Sequence, residues 1–291
     1  MRSACPIALC AFALSPAVPI LAQESKAVFD SAVVVLGEFD TPYELTLDYD
    51  GDGDEDVLGM DKFHDHHSKA AHELVLYANN GDGKLTSVWS ENRLDPLDKT
   101  APAFVAAGDL LGDARDEFVY TWGAQVRIYQ WSPTLGQAVL LGTNVSAGSA
   151  LDATAADFDG DGHENAAVLL SDRVQVHVIQ PNGTVRLVDV PIAEGRWDRL
   201  LPIDVDGDGA SELLLTGMKG FELRSFPRSA HQNVRPYGAR VAIHMAMPAV
   251  GDIDGDGDQD AVLFDMLGYQ VLRNEHGVLR VEPTVMGGPA T

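Results

Sequence analysis

Cysteine is nearly absent from this sequence: Cys5 and Cys10 are its only two, and both lie in an apolar stretch at the N-terminus. Basic residues are also scarce, with 20 Lys and Arg against 44 Asp and Glu and a net charge of −24. A surface that acidic repels nucleic acid and anionic membranes, so neither is an expected partner. The four tryptophans, Trp89, Trp122, Trp131 and Trp197, are too scattered to form a sugar-stacking array. Trp122, near an expected hairpin tip, is the best single candidate. No G-x-S-x-G, phosphate-binding glycine loop or other nucleophile constellation is present. Nor does any segment keep a 3.6-residue apolar period over a useful length, which leaves strands as the building material.

Residues 1–22 read as a secretory signal peptide. Met1 and Arg2 give a positive start, residues 4–22 carry no charge, and Ala22 precedes the polar Gln23-Glu24-Ser25. An uncleaved membrane anchor is the alternative, because the apolar run approaches spanning length. Pro6, Pro16 and Pro19 argue against it, and Leu9 is too large to precede a lipid-modified Cys10. The expected mature chain, residues 23–291, is secreted or periplasmic, with no membrane insertion after cleavage. It loses Arg2 and no acid, leaving 19 basic residues and a charge of −25. Its compartment permits disulfides, yet it has no cysteine to form one.

What it has instead is a repeat. Five segments align: DYDGDGDED at 48–56, DLLGDARDE at 109–117, DFDGDGHEN at 157–165, DVDGDGASE at 204–212 and DIDGDGDQD at 252–260. Their starts are 61, 48, 47 and 48 residues apart, and they hold 23 of the 44 acids. Carboxylates packed so densely repel one another unless a cation neutralises them. An apolar run enters each loop and another leaves it, followed by a third run with strand-like alternation, a turn and a fourth run. Four short strands per unit of this length is the anatomy of a propeller blade. The expected fold is therefore all-β, a β-propeller of four-stranded antiparallel blades, with five blades favoured over seven. The apolar run at 32–36 either completes the last blade or belongs to the first.

The loop pattern D-x-D-G-D-G-x-x-D suits calcium, which takes six to eight hard oxygen ligands in a flexible shell. Carboxylates at positions 1, 3 and 5 converge on one point, and glycines at 4 and 6 permit the positive φ that wraps chain around an ion. Position 7 can offer its carbonyl, and the acid at position 9 closes the shell. An EF-hand would need Glu at position 12 and flanking helices; position 12 here is Gly59, Tyr120, Val168, Leu215 and Leu263. Magnesium prefers a stricter octahedron with several waters, so calcium is the better match.

These loops, the strands after them and the run Tyr77-Ala78-Asn79-Asn80-Gly81-Asp82-Gly83-Lys84-Leu85 resemble FG-GAP/VCBS repeats, which also occur in integrin α-subunit propellers. The resemblance spans residues 34–283. It implies that each loop joins the first two strands of a blade and that its ion is structural. By position, it implies ligands Asp48, Asp50, Asp52, Asp54 (carbonyl) and Asp56 in the first loop, and Asp252, Asp254, Asp256, Asp258 (carbonyl) and Asp260 in the last. In the third loop they would be Asp157, Asp159, Asp161, the carbonyl of His163 and a single neutral oxygen of Asn165, a weaker set. In the fourth they would be Asp204, Asp206, Asp208, the carbonyl of Ala210 and Glu212. The second loop has Leu111 at position 3, Ala114 at 6 and Arg115 at 7, and is expected to hold no ion, Arg115 supplying positive charge instead. About four calcium sites are thus expected.

Two features stand outside the repeat. The first unit carries an insertion at 61–72 with His64, Asp65, His66, His67 and His72. His64, His66 and His72 with Asp65 are the candidate ligands for zinc or another transition metal. Their spacing matches no zinc signature, and a solvated polar loop is the plainer reading. The segment 223–251 contains no acid but holds Arg224, Arg228, Arg235 and Arg240, which can grip an anionic sugar or a partner's carboxylates, or simply neutralise nearby acidic loops. The expected function is a monomeric module that binds protein or carbohydrate. The alternative, suggested by the resemblance, is a lyase or hydrolase acting on an anionic polysaccharide near the 61–72 insertion.

Overall fold

The computed structural model describes residues 44–64, 70–81, 84–93, 103–145, 148–180, 183–195, 197–217, 220–226, 247–265, 268–282 and 285–286. Among them there is no helix; the chain is five sheets met in sequence order. The first sheet runs β1 (Glu44–Leu47), β2 (Asp56–His64), β3 (Ala70–Asn79) and β4 (Leu85–Arg93). The second runs β5 (Ala103–Gly108), β6 (Glu117–Trp122), β7 (Gln125–Ser132) and β8 (Gln137–Val145). The third runs β9 (Asp152–Ala156), β10 (Asn165–Leu169), β11 (Arg173–Ile179) and β12 (Val185–Pro191). The fourth has β13 (Trp197–Ile203), β14 (Glu212–Gly217) and β15 (Gly220–Arg224). The fifth has β16 (Met247–Gly251), β17 (Asp260–Asp265), β18 (Gly268–Asn274) and β19 (Leu279–Val281), with β20 (Val285–Met286) also pairing with β18. The signal segment and the run at 32–36 lie outside the described residues.

Each sheet is an antiparallel meander, and the register at its first hairpin is the same five times. Leu47 pairs with Asp56, Gly108 with Glu117, Ala156 with Asn165, Ile203 with Glu212 and Gly251 with Asp260. Position 9 of every acidic segment therefore opens the second strand, opposite the residue just before position 1. The acidic loops join the first two strands of each sheet, as the repeat predicts.

The chain divides into two compact units. The smaller holds the first sheet. The larger holds the last three sheets and most of the second, and there β5 lies against β9, β9 against β13 and β13 against β16. First strands thus line up from one sheet to the next. The residues of β10 and β14 are all buried, because a strand with neighbouring sheets on both faces must be apolar on both. The outermost strand of the third sheet, β12, is mostly exposed or half-buried instead. One core of the larger unit joins Val174, Val176 and Val178 with Leu200, Leu213 and Leu215; the next joins Leu214 and Phe221 with Leu263 and Leu272. Each such side chain contributes about 1.5–3 kcal/mol when fully buried.

Candidate cation-binding loops

The loops are shaped by their own carboxylates. Position 1 is a double acceptor: Asp48 receives the N–H groups of Gly51 at 2.8 Å and Gly53 at 3.1 Å. Asp157, Asp204 and Asp252 do the same for the glycines at positions 4 and 6 of their loops. Those glycines have φ between 72° and 96°, the left-handed region that side chains avoid. Position 5 then accepts from position 7, as in Asp52 from the Asp54 N–H at 2.9 Å and Asp208 from the Ala210 N–H at 3.0 Å.

Position 9 does something that its identity as a carboxylate does not advertise. It is buried and accepts the N–H of position 2: Asp56 from Tyr49 at 3.2 Å, Asn165 from Phe158 at 3.1 Å, Glu212 from Val205 at 3.0 Å and Asp260 from Ile253 at 3.0 Å. Asp, Glu and Asn serve equally well because the task needs an acceptor oxygen rather than a charge. Asp56 and Asp260 use their second oxygen to hold the third strand, receiving the N–H of Asn79 at 2.8 Å and of Asn274 at 2.7 Å. Position 2 itself is an anchor: Tyr49, Leu110, Phe158 and Val205 are buried, and Ile253 alone is exposed.

Neighbouring loops of the larger unit are tied together. The Glu164 N–H donates to the Asp109 carbonyl at 3.1 Å, and the Ser211 N–H to the Asp157 carbonyl at 2.7 Å. The Gln259 side chain accepts the Asp204 N–H at 2.7 Å. None of these links shows in the repeat pattern, since each involves position 8, where the residue type varies.

Four carboxylate clusters result, each with three ligand atoms within 4.8 Å of one another: Asp48, Asp50 and Asp56; Asp157, Asp159 and Asp161; Asp204, Asp206 and Glu212; Asp252, Asp254 and Asp260. The second loop is not among them. Burial pushes Asp56 and Glu212 up to about 7, and raises Asp50 and Asp159, as expected for acids drawn out of water beside like charges. A divalent cation relieves that penalty. Asp159 adds a specific sign, a buried Oδ1 with no hydrogen-bond partner. Hard oxygens, a shortage of counter-charge and one orphaned oxygen fit a calcium ion.

The remaining ligands expected from sequence occupy the loop backbones. Asp54 and His163 at position 7 lie close to Gly81 and Gly112, Ala210 is buried, and Asp258 faces His276 at 3.5 Å. The second loop keeps the fold without the cluster. Asp109 still accepts two N–H groups, now from Asp113 and Ala114. Leu111 removes the position-3 acid, and Arg115 forms an ion pair with Asp113. Glu117 is buried with one oxygen orphaned, and burial lifts it to about 8.

The ends of the histidine insertion extend the β2–β3 hairpin, where Lys62 pairs with His72 and His64 with Ala70. Backbone pairing takes in residues 61–64 and 70–72, and His64 and His72 stand two pairings apart. Because β2 starts at the acidic loop and ends at His64, this part of the hairpin lies at the end of the sheet away from that loop. Asp65, His66 and His67 lie outside the described residues. Arg224, at the end of β15, is paired with Glu222, whose carboxylate also accepts the Ala193 N–H at 3.1 Å. Arg228, Arg235 and Arg240 lie outside the described residues. Among the described residues no helix is long and apolar enough to cross a membrane.

The profile of the FG-GAP-like repeat matches residues 48–120, from the first aspartate of the first loop into β6. The chain carries an FG-GAP-like repeat. The same register and the same position-1 hydrogen bonding recur in loops three to five, beyond the matched residues. No curated protein matches the chain. Among solved structures, one concerns specific recognition of non-reducing terminal N-acetylglucosamine by an Agrocybe aegerita lectin, at 16% identity and a TM-score of 0.55. The match covers 84% of this chain and 66% of the lectin's length. A Photorhabdus luminescens Tc holotoxin pore matches at 21% identity over 63% of this chain and 9% of its own, with a TM-score of 0.38. The fold is an all-β propeller, and its five sheets fit five blades.

Proposed function

We propose that the chain is a secreted, calcium-binding propeller that presents its loops to a protein or glycan ligand, with calcium as a structural element. The observation that carries this reading is a three-carboxylate cluster in four of the five loops, drawn from positions 1, 3 and 9 in three of them and 1, 3 and 5 in the third loop, where an Asp159 oxygen is orphaned. Calcium takes the place that disulfides hold in many secreted domains. Extracellular calcium modules bind with a Kd of roughly 10⁻⁴–10⁻³ M, so several loops together add a few kcal/mol by linkage. Melting in calcium and in EGTA tests this part; equal melting temperatures would refute it.

A glycan is favoured as ligand by the fold shared with a lectin. Screening a glycan array in calcium and in EGTA, with structures ending in N-acetylglucosamine as first probes, tests it. Calcium-dependent binding to a defined glycan supports the reading, and a blank array leaves the protein-ligand form of the module. Secretion rests on residues 1–22, and a secreted chain beginning at Gln23 is the expected product.

A further inference from the structure

The fifth loop has the acid set of a strong calcium site, yet a positive charge is already in it. Arg273, on β18, forms an ion pair with Asp254 at position 3 of the loop. Its Nε also donates to Glu282 Oε1 at 2.6 Å, so the guanidinium is held from two sides. The next residue, Asn274, is fastened to the loop through Asp260, which fixes the strand that carries the arginine.

Among the described residues, an arginine opposite position 9 of its loop occurs in this blade alone. Residue 273 stands one step beyond the Ala261–Leu272 pairing, opposite position 9 of its loop. The matching residues, one step beyond Val57–Tyr77, Phe118–Tyr129, Ala166–His177 and Leu213–Arg224, are Ala78, Gln130, Val178 and Ser225. None of those can be a cation. In the fourth loop Asp206 faces no arginine or lysine among the described residues. The third has only a looser counterpart, Arg186 at 3.5 Å from Asp159 and half-exposed.

We propose that Arg273 is a built-in cation of the fifth loop, which an arriving calcium ion must displace from Asp254. The proposal rests on the calcium reading above. A guanidinium left beside a divalent ion would repel it at short range, whereas one swung toward Glu282 keeps a partner. The fifth loop therefore binds calcium more weakly than its acid count implies. It also keeps its shape better than the fourth when calcium is withdrawn, because part of its charge is already met.

The test compares the full chain with R273Q and R273K, using competition with a chromophoric chelator for calcium affinity and melting in EGTA for stability. R273Q should tighten one site on the order of tenfold and melt lower in EGTA. R273K, which keeps the charge, should stay near the wild type in both. An R273Q chain that unfolds in EGTA and refolds on adding calcium also supports the proposal; one that stays unfolded in calcium overturns it. Unchanged or weaker calcium affinity in R273Q overturns it as well. A wild type that binds no calcium at all refutes the calcium reading instead. In that case an R273Q chain that gains a site still supports displacement, and one that gains none overturns it.

Discussion

In the second loop and the fourth, the first aspartate accepts two backbone N–H groups and the ninth residue accepts one, so the two trace similar turns. In the fourth, Asp204, Asp206 and Glu212 come within 4.8 Å. In the second, Leu111 replaces the middle acid, Ala114 holds a φ of 69° where its counterpart is glycine, and Arg115 meets the charge of Asp113. The backbone hydrogen bonds that shape the turn are thus separable from the charges that hold an ion. A repeat can lose its carboxylate cluster and keep its blade.

The largest way to break this comparison is at position 1, which serves both purposes. D204A should destabilise the chain by about 3–5 kcal/mol in calcium, since it removes a calcium ligand and the two hydrogen bonds from the Gly207 and Gly209 N–H groups. D109A should lose only the hydrogen-bond share, and the gap should close in EGTA. Denaturant titration measures both. An equal loss for the two variants in calcium would erase the distinction drawn here.

Position 9 separates the loops by pH. Glu117 is raised to about 8 from 4.5, so it binds a proton when folded that it gives up when unfolded. Its stabilising effect is therefore complete below the unfolded value and is lost as pH rises through about 8. Between about pH 5 and pH 9 that amounts to roughly 4 kcal/mol, and E117Q should flatten the profile. Glu212, raised to about 7, should show a similar slope in EGTA but lose it in saturating calcium, because a bound ion keeps it charged. Urea titrations across this range decide the point.

A gain of function comes next. L111D combined with A114G and R115D rebuilds the metal pattern in the second loop. It should add one calcium and about 2–3 kcal/mol at a hundredfold excess over Kd. The smallest effect belongs to A114G alone, which relieves a left-handed alanine and should stabilise by about 0.5–1 kcal/mol with no change in calcium binding.

Much of the fold could be read directly, because the acidic loops recur at blade spacing and each is framed by apolar runs. The missing acid at position 3 of the second loop is equally plain from Leu111. Position 9 was only half legible. Asn165 looks like a weakened ligand in isolation; beside Asp56, Glu212 and Asp260 it is another acceptor for the position-2 N–H. The shared feature was an oxygen, and a reading attentive to charge passes over it. The buried residues at position 2 were visible as apolar, and could have been recognised as anchors. The loop-to-loop hydrogen bonds and the Arg273 pair depend on which chains meet in three dimensions, and no local pattern encodes that. The insertion at 61–72 looked like a loop because polar residues dominate it, while its ends pair as strand.

Counting calcium ions by native mass spectrometry tests the account most directly. Four ions per chain are expected, one for each carboxylate cluster, falling to three in D204A and staying at four in D109A. No bound calcium, or a fifth ion that disappears in D109A, would contradict it.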